Sequence, residues 1–214
     1  MDWQVAILAI PALLVGVWAT IRVCVVAIVF GTIIGLVVGL ASLSHFAPTR
    51  LAAKVYVEFI RATPLLIQLL LVYFALPAAG IELSAFWAGV VALSMNAGGF
   101  IAESVRGAIG GIDPGQAEAA KSIGMTHGET LRIILLPQAA RSFLPPLTNE
   151  LISLIKNSAL LSVISVYELT RSGQEIIALH FTPVTIYLLI AVYYYVLITA
   201  VATLSRFAER RMPA

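Results

Sequence analysis

The sequence predicts an all-α integral membrane protein with five transmembrane helices, an N-terminal interfacial helix and a helical loop on the cytoplasmic side. Composition is the first reason, because 60% of the 214 residues are hydrophobic and 11% are charged, against roughly 45–50% and 25% in soluble domains. The second is the presence of five apolar stretches of about 20 residues, the length that a helix needs to cross a bilayer. The third is a one-sided distribution of lysine and arginine. The protein is therefore expected to fold within a lipid bilayer.

The hydropathy pattern places five spans, at residues 20–41, 55–75, 86–104, 147–166 and 184–204. Residues 5–18 are apolar as well, but Pro11 and Gly16 interrupt them. Joined to the first span, they would form a helix much longer than the roughly 17–25 residues that a bilayer requires. We therefore predict a separate interfacial helix there, and a single transmembrane domain over residues 1–214.

Basic residues predict the orientation, because lysine and arginine in short loops are retained on the cytoplasmic side. One side of the predicted spans holds ten of them and the other side two, with Lys156 inside a span. We therefore expect the C-terminus and the loop at residues 106–141 in the cytoplasm, and the N-terminus outside. The ten are Arg50, Lys54, Arg61, Arg106, Lys121, Arg132, Arg141, Arg206, Arg210 and Arg211, and the two are Arg22 and Arg171.

The first span carries three glycines at four-residue spacing, Gly31, Gly35 and Gly39. This spacing aligns them along one face of a helix. Small residues in such a row let the backbone of a neighbouring helix approach closely. The pattern therefore predicts a packing groove on this span.

Sequence patterns for catalysis, nucleotides and metals are absent. Cys24, the single cysteine, and three scattered histidines offer no zinc site, and no nucleophile with a neighbouring base is apparent. No Gly-x-x-x-x-Gly-Lys-Ser/Thr phosphate loop occurs. We therefore expect a chain that is not an enzyme by itself and binds no cofactor. The histidines, His45, His127 and His180, are interpreted as isolated residues.

The loop between the third and fourth spans contains two helix-start signals. Asp113 offers an N-cap carboxylate before Pro114, with Gln116 three residues after the cap, and Gly124 is placed to end this helix. Thr126-His127-Gly128-Glu129 is a capping box that opens a second short helix, which we expect to stop before Pro137. Within the first helix, Ala117, Ala120 and Gly124 share one face and predict a shallow surface for a docking partner.

The same loop carries a family resemblance. Glu118-Ala119-Ala120, Gly124 and the segment ending Leu135-Leu136-Pro137 resemble the EAA motif of ATP-binding-cassette (ABC) importer permeases. The resemblance implies a type I importer permease whose coupling loop docks into a cytoplasmic ATPase. The residues that it implicates in coupling are Gln116, Glu118, Ala119, Ala120, Gly124 and Pro137.

Further segments resemble the polar amino-acid branch of these permeases, which includes the histidine, glutamate, glutamine, arginine and opine type. They are residues 59–66, 103–109, 149–150 and 154–158. The resemblance implies the bacterial inner membrane, a permease homodimer or heterodimer, and two ATPase subunits that bind ATP and magnesium. It also implies a periplasmic or lipid-anchored substrate-binding protein.

Polar residues inside the spans are the candidates for the substrate path, because they are costly in a membrane. Glu150, Ser153 and Asn157 recur at i, i+3 and i+7 along one helix stripe, Ser158 follows them, and Asn96 lies near the middle of the third span. A carboxylate can pair with a substrate ammonium group, and amides can serve a zwitterion. The alternative is that these residues hydrogen-bond neighbouring helices. Lys156 fits either a structural role or the path.

The position of Asn157 bears on the substrate. Resembling permeases for basic amino acids often carry an acidic residue there, so the asparagine favours a neutral or acidic amino acid. An ion-coupled secondary transporter that uses Glu150 remains the alternative function, and a membrane-embedded enzyme or scaffold is a second one. An odd number of spans and the lack of internal repeats weigh against the secondary transporter.

Overall fold

The computed structural model describes residues 2–210, except the side chains of Arg141 and of residues 208–210. Arg211, one of the ten predicted cytoplasmic cations, lies outside the described residues, and so do the side chains of Arg141 and Arg210. This part of the chain is helical and contains no strand. The helices are α1 (Trp3–Ser42), α2 (Ala47–Ala62), α3 (Leu65–Ala78), α4 (Ala85–Gly110), α5 (Pro114–Ser122), α6 (His127–Glu129), a π segment (Thr130–Leu135), α7 (Leu136–Asn157), a 3₁₀ segment (Ser158–Ile164), α8 (Leu169–His180) and α9 (Pro183–Arg210).

Membrane-spanning elements fall into two kinds. Over the described residues, three single helices are long and apolar enough to cross a bilayer, namely Trp3–Ser42, Ala85–Gly110 and Pro183–Phe207. Two bent pairs pass the same test, α2 with α3 at 109° and Ser142–Ile164 with α8 at 46°. Five spans result when each bent pair is taken as one span, which agrees with the predicted architecture.

Helix α1 is continuous, so the prediction of a separate N-terminal helix is wrong. Asp2 caps the helix, its Oδ1 accepting hydrogen bonds from the backbone N–H groups of Gln4 at 3.2 Å and Val5 at 3.3 Å. Pro11 lies inside and removes one helical hydrogen bond. Burial of Ala9 and Leu13 in a cluster with α8 and α9 holds this half of the helix in place. Tertiary packing therefore overrides the local break signal.

The glycine row of α1 forms a seam with α4, as predicted. A Cβ atom at Gly31 would meet the Ala97 Cβ at 3.0 Å, and one at Gly39 would meet the Val105 Cβ at 2.8 Å. Gly35 lies between them, against Ile101. Residue numbers rise in the same direction along both helices from one contact to the next, so α1 and α4 run parallel. Both helices therefore cross the membrane in the same direction.

The second predicted span is broken rather than straight. Thr63 and Pro64 are extended, with φ/ψ of −110°/140° and −63°/136°, because the proline ring disfavours helical geometry in the residue before it. The side chain of Gln68 supports the break: its Nε2 donates to the backbone carbonyls of Ile60 at 2.8 Å and Thr63 at 3.0 Å. The span at residues 55–75 is thus replaced by two helices, α2 and α3.

The second helix of the loop does not stop before Pro137 but runs into α7. The intervening π segment explains this, because the N–H of Leu136 donates to the carbonyl of Leu131, five residues back. A widened turn relieves the clash that a proline ring makes with a regular α-helix. The fourth span is therefore part of one helical run from His127 to Ile164 that also includes Pro145 and Pro146.

Candidate functional site

The first loop helix, α5, begins and ends where the sequence predicts. The Asp113 Oδ1 accepts from the Gly115 N–H at 2.8 Å, and Pro114 occupies the first turn. At the other end, Gly124 has φ +82°. Its N–H donates to the Lys121 carbonyl at 3.0 Å, and the Met125 N–H donates to the Ala120 carbonyl at 3.1 Å. This is a Schellman motif, which requires a residue that tolerates a left-handed backbone.

The second start signal, at Thr126, forms the predicted capping box. The Thr126 Oγ1 accepts from the Glu129 N–H at 3.3 Å, and the Glu129 Oε2 accepts from the Thr126 N–H at 2.8 Å and from the Thr126 hydroxyl at 2.7 Å. The hydrogen bond from the Thr126 backbone N–H, and to a smaller extent the one from its hydroxyl, hold the pKa of the Glu129 carboxyl below its ordinary value. The loop is therefore a helix, a glycine corner and a second helix start.

The alanine face of α5 is turned inward. Ala120 is only 4% exposed and Ala117 is half-buried, because α5 lies against the π segment. The Gln138 Nε2 also donates to the Gln116 Oε1 at 3.3 Å and so ties α5 to α7. Ala120 is therefore covered within the chain and Ala117 partly so, while Gly124 on the same face is exposed, and the docking role of this face stays a prediction.

The outer surface of the loop has a different apolar centre, Ile123. This side chain is 78% exposed and stands at the C-terminal end of α5, whose residues Glu118, Ala119 and Lys121 are exposed as well. A single exposed apolar side chain is common on protein surfaces, so Ile123 is a candidate contact only through its position on this loop. Ile123 follows no periodic pattern in the sequence, so no sequence signal marks it.

Two of the histidines are not isolated. The rings of His45 and His127 meet edge to face, with their centroids 4.5 Å apart. This contact joins the corner between α1 and α2 to the start of the capping-box helix. Among the described residues, no group of three or more His, Cys, Asp or Glu side chains is placed to hold a metal ion.

Glu150 lines a groove of about 330 Å³ between α4 and α7. Within the groove, the Arg61 guanidinium lies 3.7 Å from the Glu103 carboxylate and 5.9 Å from the centre of the Phe100 ring. Charges of both signs therefore meet in one concave surface. The full lining is Arg61, Phe100, Glu103, Ser104, Pro146, Asn149, Glu150 and Ser153.

The remaining predicted path residues lie elsewhere. Asn96 is buried, and its Nδ2 donates to the Gln68 Oε1 at 3.0 Å, which is the helix-joining role that was the alternative. Ser158 is fully buried, and its hydroxyl donates to the Ile155 carbonyl at 2.8 Å. Asn157 is half-buried at the end of α7, and Lys156 is exposed. Of the five predicted path residues, Glu150 and Ser153 line the groove, and Asn96, Asn157 and Ser158 do not.

Glu168 is a buried carboxylate that sequence analysis did not single out. It is the N-cap of α8 and accepts hydrogen bonds from the N–H groups of Thr170 at 2.9 Å and Arg171 at 2.7 Å. The Tyr194 hydroxyl of α9 donates to the same side chain at 3.0 Å. Glu168 thereby joins α8 to α9 at the end of the fourth span. An acidic residue just before the Leu169 helix start was the available signal.

Residues 27–213 match the model of a protein family described as "Binding-protein-dependent transport system inner membrane component". The chain belongs to this permease family. It is 40% identical over 213 residues to the "Glutamine transport system permease protein GlnP" of Escherichia coli (strain K12), covering 99% of this chain and 97% of the relative. It is 36% identical over 213 residues to the "Arginine transport system permease protein ArtQ" of Bacillus subtilis (strain 168), with the same coverage.

Solved structures agree with the permease assignment. A chain from "Crystal structure of an amino acid ABC transporter with histidines" has a TM-score of 0.93 and 38% identity, with 99% of both chains covered. A chain from the inward-facing MetNI methionine ABC transporter has a TM-score of 0.81 and 25% identity, covering 96% of this permease and 98% of that chain. The fold is therefore that of a type I ABC importer permease, as predicted.

Family membership defines the biochemical class. The permease is an inner-membrane component of a binding-protein-dependent transport system, and it is not the ATP-hydrolysing enzyme, because the ATPase of such an importer is a separate chain. An ATPase and a substrate-binding protein are therefore its partners. The ion-coupled transporter, the alternative function considered from the sequence, is not supported.

Proposed function

We propose that this permease imports a polar amino acid and that the α4–α7 groove belongs to the substrate path. A free amino acid carries an ammonium and a carboxylate group, and the groove presents Glu150 and Arg61, which complement those charges. Ser153 adds a hydroxyl, and Phe100 adds an apolar wall. The names of the relatives, which include glutamine, arginine and cystine transport systems, support this substrate class.

Within this class, a neutral or acidic amino acid is favoured over a basic one. Asn157 presents an uncharged amide beyond the groove, at the C-terminal end of α7. The Glu103 carboxylate of the groove is already paired with the Arg61 and Arg106 guanidinium groups, which leaves Glu150 as the carboxylate available to a substrate ammonium group. One carboxylate suits the ammonium of a zwitterion better than the two positive charges of arginine or lysine.

The coupling mechanism rests on one observation: a single helical run joins the cytoplasmic loop to the groove. Residues 127–164 are helical without interruption, and Glu150 and Ser153 lie on this run. α5 is fastened to it through Gln116 and Gln138. A push on α5 is therefore transmitted along α7 to the groove. ATP and magnesium, bound by the partner ATPases, supply the energy for that push.

The proposed assembly contains two ATPases, a second permease that is the same or a related chain, and a periplasmic or lipid-anchored binding protein. The N-terminus lies outside and the C-terminus in the cytoplasm, which places residues 106–141 against the ATPase. Of the implicated coupling residues, Glu118 and Ala119 belong to the exposed surface around Ile123. Gln116, Ala120, Gly124 and Pro137 shape the loop from within or at its corners.

The coupling surface is tested by Ile123→Asp. A carboxylate at the exposed centre of the contact is expected to reduce ATPase copurification at least tenfold, because a desolvated apolar anchor dominates small interfaces. Ile81→Asp is the matched control, since Ile81 is an exposed isoleucine in the loop on the opposite side of the membrane. Pull-down of the tagged permease measures both variants. Equal ATPase recovery from the two would exclude Ile123 from the contact.

The groove is tested by Glu150→Gln in proteoliposomes that contain the permease, ATPase and binding protein. Loss of the carboxylate is expected to lower ATP-dependent uptake of radiolabelled glutamine by at least about tenfold, which corresponds to a free-energy change of roughly 1.4 kcal/mol. Glu82→Gln, in the loop before α4, is the control for a charge change outside the groove. Unchanged uptake by Glu150→Gln would remove Glu150 from the path. Uptake driven by a proton gradient without ATPase would contradict the proposed function itself.

A further inference from the structure

Helix α2 has three distinct faces. Ala53, Val57 and Ile60 are buried against the rest of the fold. The next face around the helix carries Arg50, Lys54, Glu58 and Arg61 at i, i+4, i+8 and i+11. The third face is apolar and uncovered, with Leu51, Val55 and Phe59 exposed by 62%, 56% and 52%. A helix with one charged and one exposed apolar face is typical of segments that lie in a membrane interface.

The bend after α2 fits this placement. The helix meets α3 at 109°, so it does not continue in the direction of the α3 segment. The Tyr56 hydroxyl donates to the Met95 carbonyl at 2.7 Å and fastens α2 to α4. The orientation of α2 is thus built into the fold.

A basic groove of about 400 Å³ follows the charged face of α2 where it meets the end of α4. Four cationic and two anionic side chains line it: Arg50, Lys54, Arg61, Arg106, Glu58 and Glu103. Both carboxylates are already engaged, Glu58 by Lys54 at 3.7 Å and Glu103 by Arg61 at 3.7 Å and Arg106 at 2.5 Å.

Arg50 is the cation of this groove that lacks a carboxylate partner among the described side chains. It donates to the backbone carbonyl of Ser44 at 3.2 Å, which leaves its charge uncompensated. The groove therefore keeps an excess of two positive charges, four cations against two carboxylates. An anion with several acceptor oxygens matches this surface.

We propose that α2 lies in the cytoplasmic membrane interface and that this groove binds the headgroup of an anionic phospholipid. The inference rests on the cytoplasmic placement of Arg50, Lys54 and Arg61 predicted above, and it concerns a groove next to the substrate groove, with which it shares Arg61 and Glu103. A phosphodiester contacts Arg50 and Lys54, while the hydrocarbon of the leaflet covers Leu51, Val55 and Phe59. The cytoplasmic leaflet attracts basic segments that lie beside a membrane-embedded helix.

The apolar face distinguishes lipid from a protein partner. An acidic surface of the ATPase would satisfy the cations but would leave three large apolar side chains in water. A phospholipid satisfies both faces at once, since its phosphate and its acyl chains are joined in one molecule. The charge excess argues against a second permease copy at this face, because two such grooves brought together would repel each other.

Lipid binding is measured by native mass spectrometry of the purified permease–ATPase complex with phosphatidylglycerol and phosphatidylcholine in equal amounts. The wild-type complex is expected to retain phosphatidylglycerol preferentially. Arg50→Gln lowers its apparent affinity about fivefold, the factor equivalent to about 1 kcal/mol per basic residue near an anionic surface, and Arg50→Gln with Lys54→Gln lowers it further. Arg206→Gln is the matched control: Arg206 is another exposed arginine, bonded to its own helix at Ala202.

Equal retention by Arg50→Gln and Arg206→Gln would overturn the lipid site. Displacement of phosphatidylglycerol by excess inorganic phosphate would also overturn it, because the site would then recognise phosphate and not lipid. Neither readout measures uptake, so failure of the lipid site and failure of the proposed import function are separable.

The position of α2 is tested with nitroxide labels attached through Val55→Cys and, separately, Lys54→Cys. Native Cys24 is buried and is not expected to label. In vesicles of phosphatidylcholine and phosphatidylglycerol, molecular oxygen should relax the label at position 55, and an aqueous nickel chelate should relax the label at position 54. Equal exposure of both labels to the chelate would overturn the interfacial placement. Spin coupling between two labels at position 55 would do so too, since a second permease would then cover the apolar face.

Discussion

Gly35→Ala is expected to lower the stability of the permease by about 2 kcal/mol, although alanine is the better helix former. The reason is the seam between α1 and α4. A Cβ atom at this position would overlap the Ile101 side chain and lie 3.2 Å from the backbone nitrogen of Ala102. The backbone cannot yield without separating two parallel helices. In a chain of this size, the change corresponds to about 4–8 °C in the melting temperature of the purified complex.

Gly107→Ala is the control for Gly35→Ala. Gly107 lies in α4, and a Cβ atom there would meet nothing within 4 Å. Its replacement is therefore expected to be neutral or slightly stabilising, through helix propensity alone. Combining Gly35→Ala with Ile101→Gly should cost less than the sum of the two single changes, because the glycine has moved to the other side of the contact. Additive effects would show that the seam does not cause the loss.

Local signals in the sequence were sufficient for the caps and the seam. The Asp113 and Thr126 caps, the Gly124 corner and the Gly31–Gly35–Gly39 row depend on residues within one or two helical turns, and the structure has each of them as predicted. Such features are set by hydrogen bonds and spacing that a short segment carries with it.

Signals from proline were less reliable, because tertiary contacts decide their outcome. Pro11 does not interrupt α1 and Pro137 does not end the loop helix, whereas Pro64 breaks the second span. The first two prolines are accommodated by packing or by a π segment. The third is helped by Gln68, whose amide satisfies the carbonyls that the break exposes. Hydropathy averaged over the segment does not detect this arrangement.

The candidate site was the least predictable part, since it depends on which faces the fold covers. The Glu150, Ser153 and Asn157 stripe follows from helical spacing, yet only the first two reach the groove with Arg61. Ala120 is covered by the π segment and Ile123 is left exposed. Neither outcome can be derived from α5 alone, because both depend on a helix that lies later in the chain.

Glu168→Ala is expected to destabilise the complex by about 3 kcal/mol, which corresponds to about 6–12 °C in melting temperature. The carboxylate is fully buried and accepts from two backbone N–H groups at the start of α8 and from Tyr194 of α9. Alanine leaves the two N–H groups without their acceptor and leaves the Tyr194 hydroxyl with only the Thr170 hydroxyl as a partner. Such a loss exceeds that of an ordinary exposed cap, because the same side chain both starts one helix and joins it to the next.

Three comparison variants separate these contributions. Glu168→Gln keeps one acceptor oxygen and should lose less than Glu168→Ala. Tyr194→Phe removes the α9 hydroxyl that bonds both Glu168 and Thr170 and should cost about 1–2 kcal/mol. Glu175→Ala, also in α8, removes a half-exposed partner of Arg171 at 3.3 Å and should change stability by less than about 1 kcal/mol. If the Glu168→Ala and Glu175→Ala complexes had equal melting temperatures, the buried cap would not stabilise the fold more than an exposed ion pair does. A large gap between them would identify the joint between α8 and α9 as the point where the end of the fourth span is held.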